Sequence, residues 1–281
     1  MHDSEWSIVI KPKTGWLDIN LKEISQYRNL ILMLVKRNLS SQYKQTILGP
    51  LWYLIQPILT TVLFTIIFGR IANVSTEGVP QFLFFMSGNI AWLFFSTCLT
   101  SISNTFAGNA VVLSKVYFPR LIIPISTVIF SLIIFASQLL LFICFLLYYY
   151  LIGETINPNL WLLAIPLLVL QMSILGMGFG IIISSLTTKY RDLAVLVSFG
   201  VQLWMYVTPV VYPASELSKS MRKLIMLNPM SPLIEIFRHA FLGCGQVDIV
   251  NWITSILITV FVLAIGVILF SRVEKNFIDT I

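Results

Sequence analysis

The chain has 281 residues, of which 57% are hydrophobic and 11% charged, and its formal net charge is +6. An ordinary soluble domain carries about 25% charged residues, so this chain has too few to coat a folded surface in water. A soluble globular protein is therefore excluded, and we expect an all-α integral membrane protein. Three scattered cysteines and two histidines argue against a disulfide framework, a metal centre or histidine-based catalysis.

The N-terminal part, residues 1–48, is predicted to be a cytoplasmic segment that contains a basic amphipathic helix within 21–48. Apolar residues recur there at helical spacing, with basic residues between them. This pattern is typical of a helix along the inner leaflet of a membrane; a cytoplasmic helix resting on other protein is the alternative. The apolar stripe comprises Leu21, Ile24, Tyr27, Ile31, Leu34, Val35 and Leu39.

Residues 49–281 are predicted to form one membrane domain with six transmembrane helices. Six charge-free runs are long enough to cross a hydrocarbon core, which takes about 20 helical residues. Helices are expected because every backbone polar group must be satisfied within the segment in lipid. The runs are 51–68, 81–103, 121–151, 161–186, 193–212 and 249–271.

The distribution of basic residues predicts that both termini are cytoplasmic. Most lysines and arginines precede the first run, follow the last, or lie in the loops after the second and fourth runs. The first 20 residues lack an apolar core, so no cleavable signal peptide is expected. The outward segment 213–248 is too polar for a full span but contains short apolar pieces. We expect these pieces to be short re-entrant or interfacial helices.

Sequence motifs for nucleotide binding are absent. The chain contains no Gly-Lys dipeptide and therefore no phosphate-binding loop of that type. ATP-driven transport would thus need a separate chain to hydrolyse the ATP. Gly176 and Gly180 form a small-xxx-small pair, which serves close helix packing either within the chain or between two copies.

Polar residues interrupt the predicted spans, but ionisable ones do not. We expect the amides to hydrogen-bond between helices, and the lack of buried carboxylates argues against ion-coupled transport. The amides are those of Gln56, Asn89, Gln138, Gln171 and Gln202.

Three ionisable residues share one helical turn of the outward segment: Glu235, Arg238 and His239. We expect Glu235 to pair with Arg238 or His239 and hold an irregular segment in place. Glu235 and His239 are also spaced for an acid–base pair, which leaves a membrane-embedded glycosyl- or acyltransferase as an alternative function.

Several motifs, in order along the chain, resemble those of the membrane subunit of ATP-binding-cassette exporters of polysaccharides. This permease family handles lipid-linked O-antigen, capsule or teichoic acid. The motifs are 41–52 leading into 56–57, then 115–120, 189–192, 202–204 with 208–212, and 228–232 followed by 235–238.

The resemblance implies a homodimer paired with two copies of a nucleotide-binding ATPase in the bacterial inner membrane. No cofactor is expected in this chain, because the partner would bind ATP and Mg²⁺, and no nucleic acid is involved. The substrate would be a polysaccharide on a polyprenyl diphosphate, with O-antigen the first candidate. Capsule, teichoic acid, or another lipid or drug remain alternatives.

The resemblance also suggests roles for particular residues. The diphosphate would be met by Lys36, Arg37 and Lys44. Residues of the first and fifth spans would line the conduit, where aromatic faces stack on sugars: Tyr53, Gln56, Gln202, Trp204 and Tyr206. The coupling loop to the ATPase would be Lys115, Val116, Tyr117, Phe118, Pro119 and Arg120. The outward gate would contain Pro229, Pro232, Glu235 and Arg238. No catalytic or metal-binding residue is expected.

Overall fold

The structure, a computed structural model, describes residues 25–43, 48–105, 118–187 and 192–276. The regular secondary structure of these ranges is helical, without a strand, which confirms the all-α expectation. The α-helices are α1 (Arg28–Tyr43), α2 (Trp52–Phe64), α3 (Gln81–Ser103), α4 (Ile122–Leu151), α5 (Ile165–Thr187), α6 (Leu193–Val207), α7 (Lys219–Met226), α8 (Met230–Leu242) and α9 (Ile249–Asn276).

Five helical segments of the described chain are long and apolar enough to cross a membrane. The first joins a 3₁₀ turn, α2 and the π-helical stretch Thr65–Ile71, and the fourth joins a 3₁₀ turn to α5. Each coincides with a predicted run, and the ends differ by at most a few residues. The segments are Gly49–Ile71, Gln81–Ser103, Ile122–Leu151, Leu160–Thr187 and Ile249–Phe270.

The fifth predicted span, 193–212, is shorter than expected. Helix α6 ends at Val207, because Thr208 is extended (φ −93°, ψ 143°) and precedes Pro209, which disfavours helical backbone. Its 15 residues reach about 22 Å at 1.5 Å per residue, less than the roughly 30 Å of a hydrocarbon core. The prediction of a full-length helix over 193–212 is therefore wrong at its C-terminal end.

Helix α3 lies at the centre of the bundle and packs against α2, α4, α5, α6 and α8. Aromatic side chains fill the contacts: Phe94 of α3 meets Phe135 of α4 with ring centroids 4.7 Å apart. The polar residue Asn89 of α3 is buried and donates to the carbonyl oxygen of Pro57 at 3.3 Å. The core is thus organised around one central helix.

Glycines allow α5 to pack closely between α3 and α9. A Cβ atom at Gly176 would lie 2.8 Å from Cβ of Cys98, and one at Gly180 would lie 2.7 Å from Cβ of Ile102. On the opposite face, a Cβ at Gly178 would meet the backbone of Leu263. The small-residue pair predicted from the sequence therefore packs within the chain, against α3.

Helix α1 rests on protein through the predicted apolar stripe. Ile31, Leu34 and Val35 are buried in a cluster with the start of α4, including Ile122 and Ile123. This contact matches the alternative of a helix resting on other protein. Leu21, Ile24 and Lys44 lie outside the described residues.

Candidate functional site

A buried ion pair lies in α8, within the segment 213–248 that the sequence predicts to face outward. Glu235 is 1% exposed and Arg238 is 0% exposed, and Nη1 of Arg238 lies 3.2 Å from Oε1 of Glu235. The two residues are three apart on one helix, so their side chains share a face. Pro232 sits in the first turn of α8, where its missing N–H costs no helical hydrogen bond. The expected pairing of Glu235 with Arg238 is confirmed.

Arg238 also binds the chain that follows α6. Its Nη2 donates to the carbonyl oxygens of Pro209 at 3.2 Å and Val210 at 3.0 Å. These carbonyls need a donor because α6 ends just before them. The guanidinium carbon lies 3.7 Å from the centroid of the Phe84 ring, a cation–π geometry. Arg238 thus links α8, α3 and the end of α6.

Gly88 of α3 makes room for this arrangement. A Cβ at Gly88 would lie 2.7 Å from the carbonyl oxygen of Val210 and 2.9 Å from Nη2 of Arg238. Both distances are too short for a carbon atom, so any side chain here would displace the guanidinium or the backbone it binds.

Glu235 uses its second oxygen to hold the loop after α8. Its Oε2 accepts a hydrogen bond from the backbone N–H of Gln246 at 3.2 Å, and the backbone of Ala214 acts on the same carboxylate. Burial raises the pKa of the Glu235 carboxyl, although Arg238 and these backbone groups lower it. Burial likewise lowers the pKa of the Arg238 guanidinium.

For both partners of the ion pair, therefore, desolvation outweighs the attraction. Such a buried pair adds little net stability, but losing either partner leaves a buried charge uncompensated. The pair is suited to holding α8 in one position. His239 instead has Nδ1 3.2 Å from the carbonyl oxygen of Gly245. The acid–base pair of Glu235 and His239 is thus not the arrangement found.

Glu77, in the loop between α2 and α3, belongs to the same cluster. Its Oε2 accepts from the backbone N–H of Gly245 at 2.5 Å, and its Oε1 accepts from the hydroxyl of Ser215. Glu77 was not among the residues predicted from the sequence. The signal present in the sequence was a lone carboxylate followed by glycine in a short loop between two apolar runs.

A second polar network fixes the N-terminal end of α8. The indole N–H of Trp252 donates to Oε1 of Gln171 at 2.9 Å, and Nε2 of Gln171 donates to Oγ of Ser255 at 2.9 Å. The Ser255 hydroxyl then donates to the carbonyl oxygen of Pro229 at 2.7 Å. Gln171 therefore hydrogen-bonds between helices, as expected.

Gln138 repairs a break that a proline causes in α2. Pro57 has no N–H to give to the carbonyl of Tyr53 one turn earlier. Nε2 of Gln138 donates to that carbonyl oxygen at 3.1 Å. The amide of Gln138 thus joins α4 to α2, which also agrees with the expectation.

The conduit candidates lie on two helices that both pack on α3. Gln56 on α2 and Gln202 and Tyr206 on α6 are exposed, while Tyr53 is half-buried. Trp204 is partly buried among aromatic rings, with centroid distances of 6.0, 5.3 and 5.2 Å to Trp92, Phe95 and Phe179.

The candidates on the predicted cytoplasmic side are only partly described. Lys36 and Arg37 are exposed on α1, and Lys44 lies outside the described residues. Of the predicted coupling loop, Lys115, Val116 and Tyr117 also lie outside them. Phe118 is 5% exposed and packs with α1 and α4, Pro119 is buried, and Arg120 is partly exposed. Phe118 is therefore a packing residue of its own chain.

Five apolar segments of membrane length, one of which is the central helix α3, define an integral membrane protein. Within the described ranges, no group of three or more His, Cys, Asp or Glu side chains could hold a metal ion. The chain matches the ABC-2 type transporter family over residues 29–242, and it belongs to that family. It is thus a transporter permease, as the resemblance implied.

Three relatives share this family and most of the chain's length. Two proteins of Klebsiella pneumoniae, each named "O-antigen export system permease protein RfbA", are 29% and 28% identical and cover 89% of this chain and 94% of their own length. A protein of Myxococcus xanthus with the same name is 31% identical over 79% of this chain and 83% of its own length.

Proposed function

We propose that this chain is the transmembrane subunit of an ABC exporter for a polyprenyl-diphosphate-linked polysaccharide, with O-antigen as the first candidate. The substrate would move from the cytoplasmic to the outer face of the inner membrane. The observation that carries this proposal is the similarity, over most of the chain, to relatives named O-antigen export system permeases. The energy would come from ATP hydrolysis in a separate subunit, since this sequence has no phosphate-binding loop.

In the proposed assembly two copies of this chain form the conduit, and two copies of the ATPase bind them on the cytoplasmic side. The apolar surfaces of α2 and α6 that the other described residues leave uncovered would be available to a second copy. A second copy would cover part of them and leave Tyr53, Gln56, Gln202, Trp204 and Tyr206 near the pathway. The exposed apolar residues are Trp52, Leu59, Val62 and Leu63 on α2, and Val195, Leu196, Phe199, Leu203, Tyr206 and Val207 on α6.

We assign α7 and α8 to a re-entrant hairpin that closes the outward end. The depth of the hairpin supports the assignment. The carbonyl oxygen of Pro229, between the two helices, accepts a hydrogen bond from Ser255 of α9. Ser255 lies about 9 Å along the helix axis from the first residue of α9, at 1.5 Å per residue. Arg238 contacts α3 at Gly88, a similar distance from the start of that helix. Pro229, Pro232, Glu235 and Arg238 would then form the outward gate. Helix α6 and the residues up to 212 would form the fifth of the six crossings.

The cytoplasmic side of the chain would bind the substrate and contact the ATPase, whose movements would drive transport. Lys36, Arg37 and Lys44 would bind the diphosphate, arginine as a fork and lysine as a point charge. The loop 115–120 would contact the ATPase through Lys115, Val116, Tyr117 and Arg120, because Phe118 is buried in its own chain. Both termini would be cytoplasmic.

Deletion of the gene tests this function directly. Cells without the chain should lose surface polysaccharide and accumulate a polyprenyl-diphosphate-linked glycan on the cytoplasmic side. Mass spectrometry of that lipid would identify the polymer and separate O-antigen from capsule or teichoic acid. The wild-type gene should restore export only with an active ATPase partner. Unchanged surface polysaccharide in the deletion strain would contradict the proposal.

A further inference from the structure

Two carboxylates of the outward end hold the same two loop segments. Glu77 accepts hydrogen bonds from Ser215 and Gly245. Glu235 accepts a hydrogen bond from Gln246, the residue after Gly245, and the backbone of Ala214, the residue before Ser215, acts on the same carboxylate. Residues 214–215 follow the end of α6, and residues 245–246 lie between α8 and α9. The start and the end of the outward segment are thus held between two acidic side chains.

The two carboxylates belong to different parts of the molecule. Glu235 lies on α8 itself, so its bonds keep the segment folded upon itself. Glu77 lies in the loop that joins α2 to α3, so its bonds tie that segment to another element. Any outward movement of α8 relative to α2 would have to break the contacts of Glu77.

The backbone of Glu77 supports a special role for this residue. Its φ is +54°, a left-handed conformation that residues with a side chain rarely adopt, and Gly78 follows with φ +83°. Such conformations persist where surrounding contacts determine them, and they cluster at functional sites. Here the contacts are those that the Glu77 carboxylate makes with Ser215 and Gly245.

We propose that Glu77 is a positioning residue that clasps the outward closure and sets the energy needed to open it. This inference rests on the proposed export function. In the closed state the carboxylate holds Ser215 and Gly245, and these bonds break when the exit opens. Glu77 contacts no substrate in this account and acts only through the two loops.

Removing the charge of Glu77 tests the clasp. In Glu77→Gln the amide keeps the side chain's size but has a single oxygen acceptor, so it cannot reproduce both bonds. A hydrogen bond to a charged group is stronger than one to a neutral group, so we expect the closed state to weaken by about tenfold. Proteoliposomes with the ATPase partner but without ATP should leak an entrapped small dye about tenfold faster.

Glu216→Gln is the matched control, because Glu216 is an exposed carboxylate next to Ser215. It should leak like wild type. The amount of folded protein should be the same in both variants, so that a faster leak of Glu77→Gln reports opening of the folded protein and not loss of its fold. Equal leak in Glu77→Gln and Glu216→Gln would overturn the role of Glu77.

A reversible cross-link tests whether the loops must separate. Glu77→Cys and Ser215→Cys, with Cys144→Ser because Cys144 is an exposed free cysteine, would be joined by a short thiol-specific reagent that a reductant cleaves. The cross-link should lower the rate of ATP-driven export at least tenfold, and cleavage of the cross-link by the reductant should restore that rate. Normal export by the linked protein, or failure of the pair to link, would overturn the clasp. Absence of ATP-driven export in the wild-type complex would instead overturn the proposed function.

Discussion

Helices α6 and α8 reverse the usual relation between polarity and burial. Helix α6 contains no charged residue, yet Val201 is its one buried residue. Helix α8 carries Glu235, Arg238 and His239, yet every residue of it except His239 is buried. In a water-soluble protein the charged helix would face the solvent. In a membrane protein the apolar helix can face lipid, and charges must be hidden with their partners.

The two helices therefore owe their positions to different forces. The residues of α8 are held by ion pairing, by backbone carbonyls and by the aromatic ring of Phe84. No other described residue gives the apolar side of α6 such a cover. Its position must depend on lipid or on a second copy. Substitutions in α8 should thus act on folding, and substitutions on the exposed side of α6 should act on assembly or transport.

The largest effect should come from breaking the ion pair. Arg238→Met leaves the buried carboxyl group of Glu235 without its cationic partner, which should cost about 3–5 kcal/mol in the free energy of unfolding. Unfolding in mixed micelles, followed as the denaturing detergent fraction rises, measures this cost. The double variant Glu235→Gln, Arg238→Met should lose about 1–3 kcal/mol less than the sum of the single variants. Additive losses would show that the two side chains do not depend on each other.

A smaller loss of stability should follow from filling the space at Gly88. Gly88→Ala puts a methyl group against Val210 and Arg238, and overpacking of this kind costs about 1–3 kcal/mol. The same unfolding experiment applies. Gly200→Ala on α6 is the control, because nothing lies within 4 Å of a Cβ there. Alanine favours helix at that site, so a loss at Gly200 as large as the loss at Gly88 would contradict the comparison of the two helices.

Two glutamines give a further contrast. Gln171→Leu removes the bonds to Trp252 and Ser255, and hydrogen bonds between membrane helices contribute about 0.6–1.7 kcal/mol each. Gln202→Leu, on the exposed side of α6, should leave the free energy of unfolding unchanged and slow export. A stable Gln202→Leu variant with the export rate of the wild type would contradict the placement of Gln202 in the conduit.

The smallest effect on folding is expected at the predicted inner substrate site. Arg37→Gln with Lys44→Gln should leave stability and association with the ATPase unchanged, because Arg37 lies on an exposed surface of α1. Export should fall several-fold, since the diphosphate loses two cationic partners. Lys219→Gln with Lys223→Gln, on exposed positions of α7, is the control. Equal export by both double variants would contradict the assignment of the inner site.

The sequence predicted the long helices well because their signal is local. A charge-free run of sufficient length defines a span, and the observed bounds of α3, Gln81–Ser103, coincide with the predicted 81–103. The end of α6 was misplaced because apolar composition continues past Thr208, while the backbone turns before Pro209. Pro209 indicates a helix end in the sequence, but the prediction followed the length of the apolar run instead.

The site was only partly predictable, because its contacts join distant parts of the chain. The pairing of Glu235 with Arg238 follows from helical spacing and was expected. The bonds of Arg238 to Pro209 and Val210, and the place of Glu77 beside Gly245, depend on how three loops meet. Phe118 likewise looked like an exposed contact in a short basic loop, and only the packing of α1 on α4 shows it buried.

The central claim is that this chain is a passive membrane subunit powered by a separate ATPase. Proteoliposomes that contain the chain with its ATPase partner, a labelled polyprenyl-diphosphate glycan and ATP measure it most directly. The account predicts ATP-dependent transfer of the glycan across the bilayer by the complex, and neither transfer nor ATP hydrolysis by this chain alone. Transfer driven by ATP in the absence of the partner would contradict it.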